Sequence, residues 1–479
     1  MSYERTYMYP NEFAHILGYV GIPNQKDLNQ IDANYLGVPN LKVGKIGLEK
    51  NSNKSLLGTP GSAIYEVNAF GKRVKNVEKI DGINGSRIKT SIDKDIQIYA
   101  YQQLKEKSGS VVVMNMYGGV LCCVSSPSYD PNKFTYGISY KDYDVLKKNE
   151  KKPLVNKAMT TTYPPASTFK MIVALSALEN KIITKNFRHT CKGKVDLYEQ
   201  RYHCWKEKGH GRVNLKRAIK ESCDIYFYEV ARLLGIDRLQ KTAFRFGLGD
   251  YVFQDFFEEA KGLVPSTSWK REALGKSWYL GETMISGIGQ GYIKTTNVQL
   301  CKMIAQFANG GYQINASFFD SSDLALGKKI IDDDEHIELI LKSLFEATNL
   351  PGGTSYRSRI PGTMKIAGKT GTAQVRKISE SQREQDLKKE DDEIMFFAAI
   401  HQNNQFCIIT REATEKVSAI HHREPLIINQ SQINNYLNVK KDAMEILNSI
   451  KPPTLKFHEI SKDVNNPVNN DPALIKPVN

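Results

Sequence analysis

The run from Phe169 to Leu178 limits the fold more than any other part of the chain. It is apolar at Phe169, Met171, Ile172, Val173, Leu175 and Leu178, so a helix here has almost no wet face and must pass through the middle of a domain. Pro164 and Pro165 stiffen the entry, and Ser167 is expected in the first helical turn. Lys170, three residues on, shares a face with Ser167. A serine hydroxyl is a poor nucleophile until a base takes its proton, and a lysine disfavoured as a cation by burial can be that base. The start of the helix also offers backbone N–H groups to a developing oxyanion. Ser-x-x-Lys is common on surface helices, but an apolar helix is a poor place for an idle lysine.

Around this helix the pattern is mixed. Asp95 to Ala100 reads as helix, and Ser110 to Met116 with Val120 to Val124 forms a hairpin about Tyr117-Gly118-Gly119. Helical texture returns over Leu215 to Leu234 and Asn297 to Ala308, and a strand pair is expected around Lys369 and Phe396. Strands flanking a block of helices give an α+β fold with an antiparallel sheet. Residues 1 to 88 carry many turn signals and short apolar runs without a complete core of their own. Arg376 to Glu393 is a dense charge run expected as an exposed loop, and 451–479, rich in Pro and Asn, is expected to be disordered.

At 479 residues the chain can bury a large core, and its 41% hydrophobic and 25% charged content is that of a globular protein. The net charge of +14 is spread over many lysines, which suits an anionic surface such as a membrane or a cell-wall polymer. No nucleic-acid-reading motif is present, so nucleic acid is not an expected partner. No segment reaches the roughly 20 apolar residues that span a bilayer, and the first residues do not read as a signal peptide.

Two further motifs come after the first. Ser222-Cys223-Asp224 places a hydroxyl and a carboxylate two residues apart, able to move a proton between base and leaving group; alone, the tripeptide would read as a helix cap. Gly368-Lys369-Thr370-Gly371-Thr372-Ala373-Gln374 puts a cation and two hydroxyls on a glycine-containing strand, where a substrate backbone and its carboxylate could lie. Ser-x-x-Lys, Ser-x-Asp and Lys-Thr-Gly in this order are far more specific together than singly, and they are the combination of penicillin-binding proteins and serine β-lactamases.

The chain resembles the elongation-type class B penicillin-binding proteins, the penicillin-binding protein 2 family, over roughly residues 5 to 400. Supporting stretches are Ala14 to Gly21, Gly47 to Lys50, Glu66 to Ala69, Phe246 to Gly249, Trp278 to Thr283 and Ile288 to Tyr292. The resemblance implies a penicillin-binding transpeptidase domain over 89–450, preceded over 1–88 by a partial, non-catalytic pedestal of the dimerisation type. It implies a peptidoglycan D,D-transpeptidase of cell-wall elongation and rod shape. Ser167 would attack the penultimate D-Ala carbonyl of a stem peptide, with Lys170 as base and Ser222 as proton relay beside Asp224. Lys369, Thr370, Gly371 and Thr372 would hold the terminal carboxylate, and the N–H groups of Ser167 and Thr372 would form the oxyanion hole. β-Lactams would acylate Ser167, and the chemistry would need no cofactor. Implied partners are an elongation glycosyltransferase and rod-complex proteins, at the periplasmic face of the bacterial inner membrane.

Cys191, Cys204, His210 and Cys223 make a Cys₃His set, a standard structural zinc arrangement, although no tight Cys-x-x-Cys marks it. A disulfide between two of these cysteines is the alternative in an oxidising periplasm. Some elongation-type relatives carry metal ligands at matching positions, which favours zinc. His203 is expected to be exposed, and His189 and Asp196 are substitutes for Cys191. Cys122, Cys123, Cys301 and Cys407 sit among apolar neighbours and read as core.

The sequence also departs from the family. Family members begin with a cytoplasmic stub and a membrane anchor, and here the resemblance starts almost at Met1, as in an N-terminally truncated member. No glycine follows Gly371, Cys407 to Ala413 stands where the family has a Glu-His-Gly-rich stretch, and Asn297 replaces the proline expected after Thr295-Thr296. A D,D-carboxypeptidase and a non-catalytic remnant are the competing readings. A serine β-lactamase is disfavoured, because no carboxylate motif offers a base for fast deacylation.

Overall fold

The computed structural model describes residues 5–104, 107–197, 200–253, 256, 258–320, 325–360 and 365–373, with short strand segments between Phe396 and Ile428. The chain divides into two compact units, Met1–Val375 and Arg376–Asn479.

In the first unit, α1 (Pro10–Leu17) begins with proline at its first position, where the missing N–H costs nothing. An exposed hairpin comes next, β1 (Ser62–Val67) with β2 (Arg73–Ile80). Helix α2 (Lys94–Gln103) is capped by the Asp93 carboxylate, which accepts from the N–H groups of Asp95 and Ile96. The expected hairpin over 110–124 is present as β3 (Gly109–Met114) and β4 (Val120–Ser126), in antiparallel register Val112 opposite Cys123. Cys122 and Cys123 are buried in β4, as their neighbours suggest.

The central helix α3 (Lys170–Glu179) is buried from Lys170 through Leu178, so the all-round apolar pattern does mark an interior helix. Truncating one of its leucines would cost about 2–5 kcal/mol. Ser167 is not in its first α-turn as expected: a 3₁₀ turn over Ala166–Phe169 precedes it, and Ala166 sits at φ 51°.

Strands β5 (Arg188–Cys191), β6 (Lys194–Leu197), β7 (Gln200–His203) and β8 (Gly211–Asn214) form two antiparallel pairs, β5 with β8 and β6 with β7. The helical stretch expected over Leu215 to Leu234 is two helices, α4 (Leu215–Lys220) and α5 (Asp224–Leu234), broken at Ser222, whose φ is 54°. Then come α6 (Ile236–Arg245), α7 (Thr267–Leu274), α8 (Leu280–Ser286), α9 (Asn297–Ala308) and α10 (Asp334–Asn349). Helix α9 opens on a reciprocal cap: Thr296 Oγ1 accepts from the Gln299 N–H, and Gln299 Oε1 accepts from the Thr296 N–H. Asn297 fits that first turn without the family's proline.

The main core surrounds α3, α5 and α6. A second core joins Ile16 and Leu48 from the first ninety residues to Val120, Met159, Phe253, Val298 and Phe318. The early segment therefore buries its apolar side chains in a core shared with residues 120–318, and it shows no separate core among the described residues. Two-stranded antiparallel sheets and helices give the mixed α+β architecture expected from the sequence.

The strand expected at Lys369 is not formed. Residues 365–373 carry no ladder among the described residues, because their backbone is tied to α10: Gly368 N–H donates to the Leu344 carbonyl, and Asn349 Nδ2 donates to the Ile366 carbonyl at 2.7 Å. In the second unit Phe396–Phe397 pairs with Ile427–Ile428, and Ala399–Gln402 with Gln405–Ile408, which holds Cys407. The charge run at 376–393 and the tail at 451–479 lie outside the described residues. No described helix is long and apolar enough to cross a membrane.

Candidate active site and the adjoining cysteine cluster

Lys170 is fully buried at the start of α3. An ammonium has three N–H donors, and Lys170 directs them to the Ser222 carbonyl at 2.9 Å, Ser222 Oγ at 3.2 Å and Asp224 Oδ1 at 2.7 Å. All three contacts lie within the fold, and the one with Asp224 is a buried ion pair. Ser222 Oγ also accepts from Lys369 Nζ at 2.8 Å, so one hydroxyl lies between two lysines. Its left-handed backbone is the local distortion that turns both its carbonyl and its hydroxyl toward Lys170.

Lys369 spends a second donor on the Thr370 carbonyl at 2.9 Å. Withdrawal from water, together with the neighbouring Lys170 charge, pulls its ammonium down to about 7, against an opposing pull from Asp224. Thr370 Oγ1 is 3.1 Å from Thr354 Oγ1. The segment lies against the Ser167 turn: a Cβ placed on Gly371 would stand 3.4 Å from the Pro165 carbonyl and 3.4 Å from the Thr168 methyl. Thr372 is exposed, and its carbonyl accepts from Gln290 Nε2 at 3.5 Å.

Ser167 is half-buried on the 3₁₀ turn and makes no hydrogen bond from its hydroxyl among the described residues. The turn is fixed from behind. The Ala166 N–H donates to the Gly289 carbonyl at 2.9 Å, and Gly289, at φ 70°, is so close that a Cβ there would lie 2.2 Å from the Ala166 carbonyl oxygen. All three sequence motifs thus meet in one place: Ser167 and Lys170, Ser222 and Asp224, Lys369 to Thr372.

The cysteine cluster adjoins this site. Pairing of β5 with β8 sets Cys191 opposite Gly211, beside His210, and the Cys204 N–H donates to the Gly193 carbonyl at 2.7 Å. Cys223, between Ser222 and Asp224, completes the set. All four residues are buried, and their candidate ligand atoms lie within 4.8 Å of one another. His210 Nδ1 is 3.6 Å from Cys191 Sγ and 3.4 Å from Cys204 Sγ. Three sulfurs tetrahedrally bound to one zinc would be about 3.8 Å apart, so a modest contraction suffices.

The three cysteines are free thiols, and no disulfide links them. Donation from the Cys204 and then the Cys223 thiol holds Cys191 well below the ordinary thiol range, and the same contacts push Cys223 up. The substitutes lie elsewhere: Asp196 is ion-paired with Arg201 at 2.7 Å, His189 sits opposite Val213 in the ladder, and His203 is half-buried outside the cluster.

Sequence reasoning missed Trp205, whose backbone N–H donates to Asp224 Oδ2 at 2.9 Å. That bond ties the residue after Cys204 to the carboxylate that holds Lys170. It also missed Gly289, Gln290 and Thr354 as supports of the site. Gly289 lies inside the family-like stretch Ile288 to Tyr292, the one signal that could have flagged it.

Known proteins resemble this chain. Residues 109–427 match the penicillin binding protein transpeptidase domain, and residues 1–90 match the penicillin-binding protein dimerisation domain. The peptidoglycan D,D-transpeptidase MrdA of Escherichia coli K12 is 37% identical over 390 residues, 78% of this chain and 61% of that protein. MrdA of Haemophilus influenzae is 33% identical over 429 residues, 85% of this chain and 66% of its own length. The chain thus spans about three fifths to two thirds of these relatives. Among solved structures, Pseudomonas aeruginosa PBP2 in complex with WCK 5153 has a TM-score of 0.68 at 36% identity, covering 77% of this chain and 80% of that one. The Helicobacter pylori complex between PBP2 and MreC has a TM-score of 0.72 at 32% identity, covering 77% and 69%.

Proposed function

The chain belongs to the penicillin-binding protein transpeptidase family, and from that premise we propose that it is a peptidoglycan D,D-transpeptidase working through a Ser167 acyl-enzyme. The observation that carries the reading is the meeting of Lys170, Ser222, Asp224 and Lys369 within hydrogen-bonding distance beside the Ser167 turn.

Ser167 Oγ bonds to the penultimate D-Ala carbonyl carbon of a stem peptide as its proton passes to Lys170 in the neutral form. The bond to the terminal D-Ala nitrogen then breaks, and Ser222, in contact with both lysines, relays the proton to that leaving amine. An amine of a neighbouring stem attacks the ester, the Oγ–carbon bond breaks, and the amine's proton returns to Ser167. The Lys369 cation with the hydroxyls of Thr370 and Thr372, beside Gly371, binds the terminal carboxylate. N–H groups of Ser167 and Thr372 stabilise the tetrahedral oxyanion. β-Lactams enter the same steps and stop at the acyl stage. Water in place of the amine would make the protein a D,D-carboxypeptidase, and the site geometry is common to both.

Cys191, Cys204, His210 and Cys223 would hold a structural zinc ion. The metal would supply no chemistry and would lock the β5–β8 loops onto the start of α5. By family likeness, the place of action is the periplasmic face of the inner membrane. Partners there would be rod-complex proteins, as in the PBP2–MreC complex, and an elongation glycosyltransferase.

The test is intact-mass spectrometry of the purified chain after incubation with a penicillin, beside Ser167→Ala. One stable adduct, lost in the variant, is the expected result. No adduct on a folded protein would overturn the reading and leave a non-catalytic remnant.

A further inference from the structure

Lys270 lies outside the three motifs and is fully buried on α7. Its Nζ donates to both carboxylate oxygens of Glu282 on α8, at 2.5 and 2.7 Å. The same ammonium stands over the rings of Tyr279 at 4.4 Å, Trp278 at 5.8 Å and Tyr292 at 6.0 Å. Trp269 packs on Tyr292 with ring centres 5.3 Å apart, so two of the chain's three tryptophans stand around this one cation. Rings attract an ammonium through their negative faces. The carboxylate is fixed too, because Glu282 Oε2 accepts the Tyr279 N–H at 2.8 Å. A buried ion pair adds little stability over apolar side chains of the same volume, and its best use is to hold one geometry.

What this pair can hold is the link to the Ser167 turn. Helix α7 is rooted on α6, where Asp237 accepts the Thr267 N–H and hydroxyl, each at 2.9 Å. Beyond α8 the chain runs through Gly289, Gln290 and Gly291 to Tyr292. The Gly289 carbonyl takes the Ala166 N–H at 2.9 Å, and Gln290 Nε2 reaches the Thr372 carbonyl at 3.5 Å. This one step therefore touches both backbones whose N–H groups, at Ser167 and Thr372, would form the oxyanion hole. Gly289 and Gly291 sit at φ 70° and 76° with no side chain to fix them. Tyr292 is the first residue after them whose ring is gripped, by Trp269, Trp278 and Lys270.

We propose that Lys270 is a positioning residue for acylation: paired with Glu282, it fixes Tyr292 and through it the Gly289-Gln290 step that sets the spacing of the Ser167 and Thr372 N–H groups. This role rests on the reading of the chain as an acylating serine enzyme. Lys270 itself touches no substrate. The role gives a use to two family-like stretches, Trp278 to Thr283 and Ile288 to Tyr292, that the proton transfers at Ser167 leave without one.

The experiment follows penicillin acylation of the full chain, resolved into initial binding and bond formation, beside the Tm of each protein. Lys270→Met should slow bond formation about tenfold or more, while the initial affinity for penicillin stays near that of the parent. Its Tm should fall as well, because the Glu282 carboxylate is left unpaired. Lys270→Met combined with Glu282→Gln leaves no buried charge unpaired, so the Tm should recover toward the parent. The cation over the rings is still missing there, and bond formation should stay slow. The double variant carries the test by itself should Lys270→Met fail to fold. Rates of bond formation that follow the Tm across the three proteins would overturn the proposal, since a purely structural pair gives that result. Parental rates in both variants, or a loss confined to the initial affinity, would do the same. With a labelled parent these outcomes defeat this inference alone, whereas a folded parent that takes no penicillin defeats the enzymatic reading and this role with it.

Discussion

Asp224 holds Lys170 Nζ 2.7 Å from one carboxylate oxygen and the Trp205 N–H 2.9 Å from the other, so one side chain fastens both Lys170 and the cysteine-rich loop. The lysine end is fully buried and the aspartate nearly so. Breaking such a pair from one side leaves an uncompensated buried charge and costs about 3–5 kcal/mol. Asp224→Asn keeps the shape and removes the charge. It should lower the Tm clearly and slow penicillin acylation at least about tenfold, since Lys170 loses its orienting partner. Equal acylation rates in variant and parent would show that Asp224 is only a cap.

The cluster of Cys191, Cys204, His210 and Cys223 gives the second prediction. If zinc is bound, ligand geometry and folding are linked, and removing the metal removes folding free energy. A strong chelator should lower the Tm of the parent chain, and added zinc should restore it. Cys204→Ser and His210→Ala should start from a lower Tm and respond little to chelator. Because Cys223 lies between Ser222 and Asp224, chelation should also slow Ser167 acylation. Unchanged melting with and without chelator would rule the metal out.

Much of this site could be read from the chain because its parts are local. Lys170 stood out as a charge on a helix with no wet face, and it is indeed fully buried. The order of the three motifs gave the family. Contacts between distant segments were not legible: nothing near Trp205 says that its N–H meets a carboxylate 19 residues on. The breaks were missed for a related reason. Leu215 to Leu234 reads as helical throughout, and the left-handed residue at Ser222 that breaks it turns its carbonyl and hydroxyl to Lys170, a residue far away in the chain. The strand expected at Lys369 reflects its glycines, whereas α10 takes the Gly368 N–H and the Ile366 carbonyl.

Lys369 carries a pH dependence. An unfolded lysine keeps its proton to about 10.5, and in the fold Lys369 releases it near 7. Between these values the unfolded chain binds more protons, so this residue makes the fold more stable as pH rises from about 7 toward 10.5. Carboxylate capture runs the other way, because it needs the cation. The second-order rate of acylation by a penicillin should therefore show a falling limb above about pH 7, and Lys369→Gln should lower the rate and remove that limb. Stopped-flow acylation over roughly pH 6 to 9 measures it. A parent profile without a falling limb would show that Lys369 is not the group that meets the carboxylate.

Gly289 should matter to catalysis without touching substrate. Its carbonyl accepts the Ala166 N–H, and Ala166 sits at φ 51° immediately before Ser167. Gly289→Ala would put a Cβ 2.2 Å from the Ala166 carbonyl oxygen and 2.8 Å from Phe169 Cβ, at a backbone φ of 70° that alanine rarely adopts. The strain is about 1–3 kcal/mol if the turn holds. If the turn yields instead, Ser167 moves relative to Lys170 and the Lys369 segment, and displacements near 1 Å can cost about a hundredfold in rate. The expected outcome is a modest loss of Tm with a disproportionate loss in the acylation step, while the initial non-covalent affinity for penicillin changes little. Resolving acylation into binding and bond formation separates the two effects. A fall in Tm with both kinetic terms intact would show that Gly289 serves packing alone and that the Ser167 turn is positioned by α3 itself.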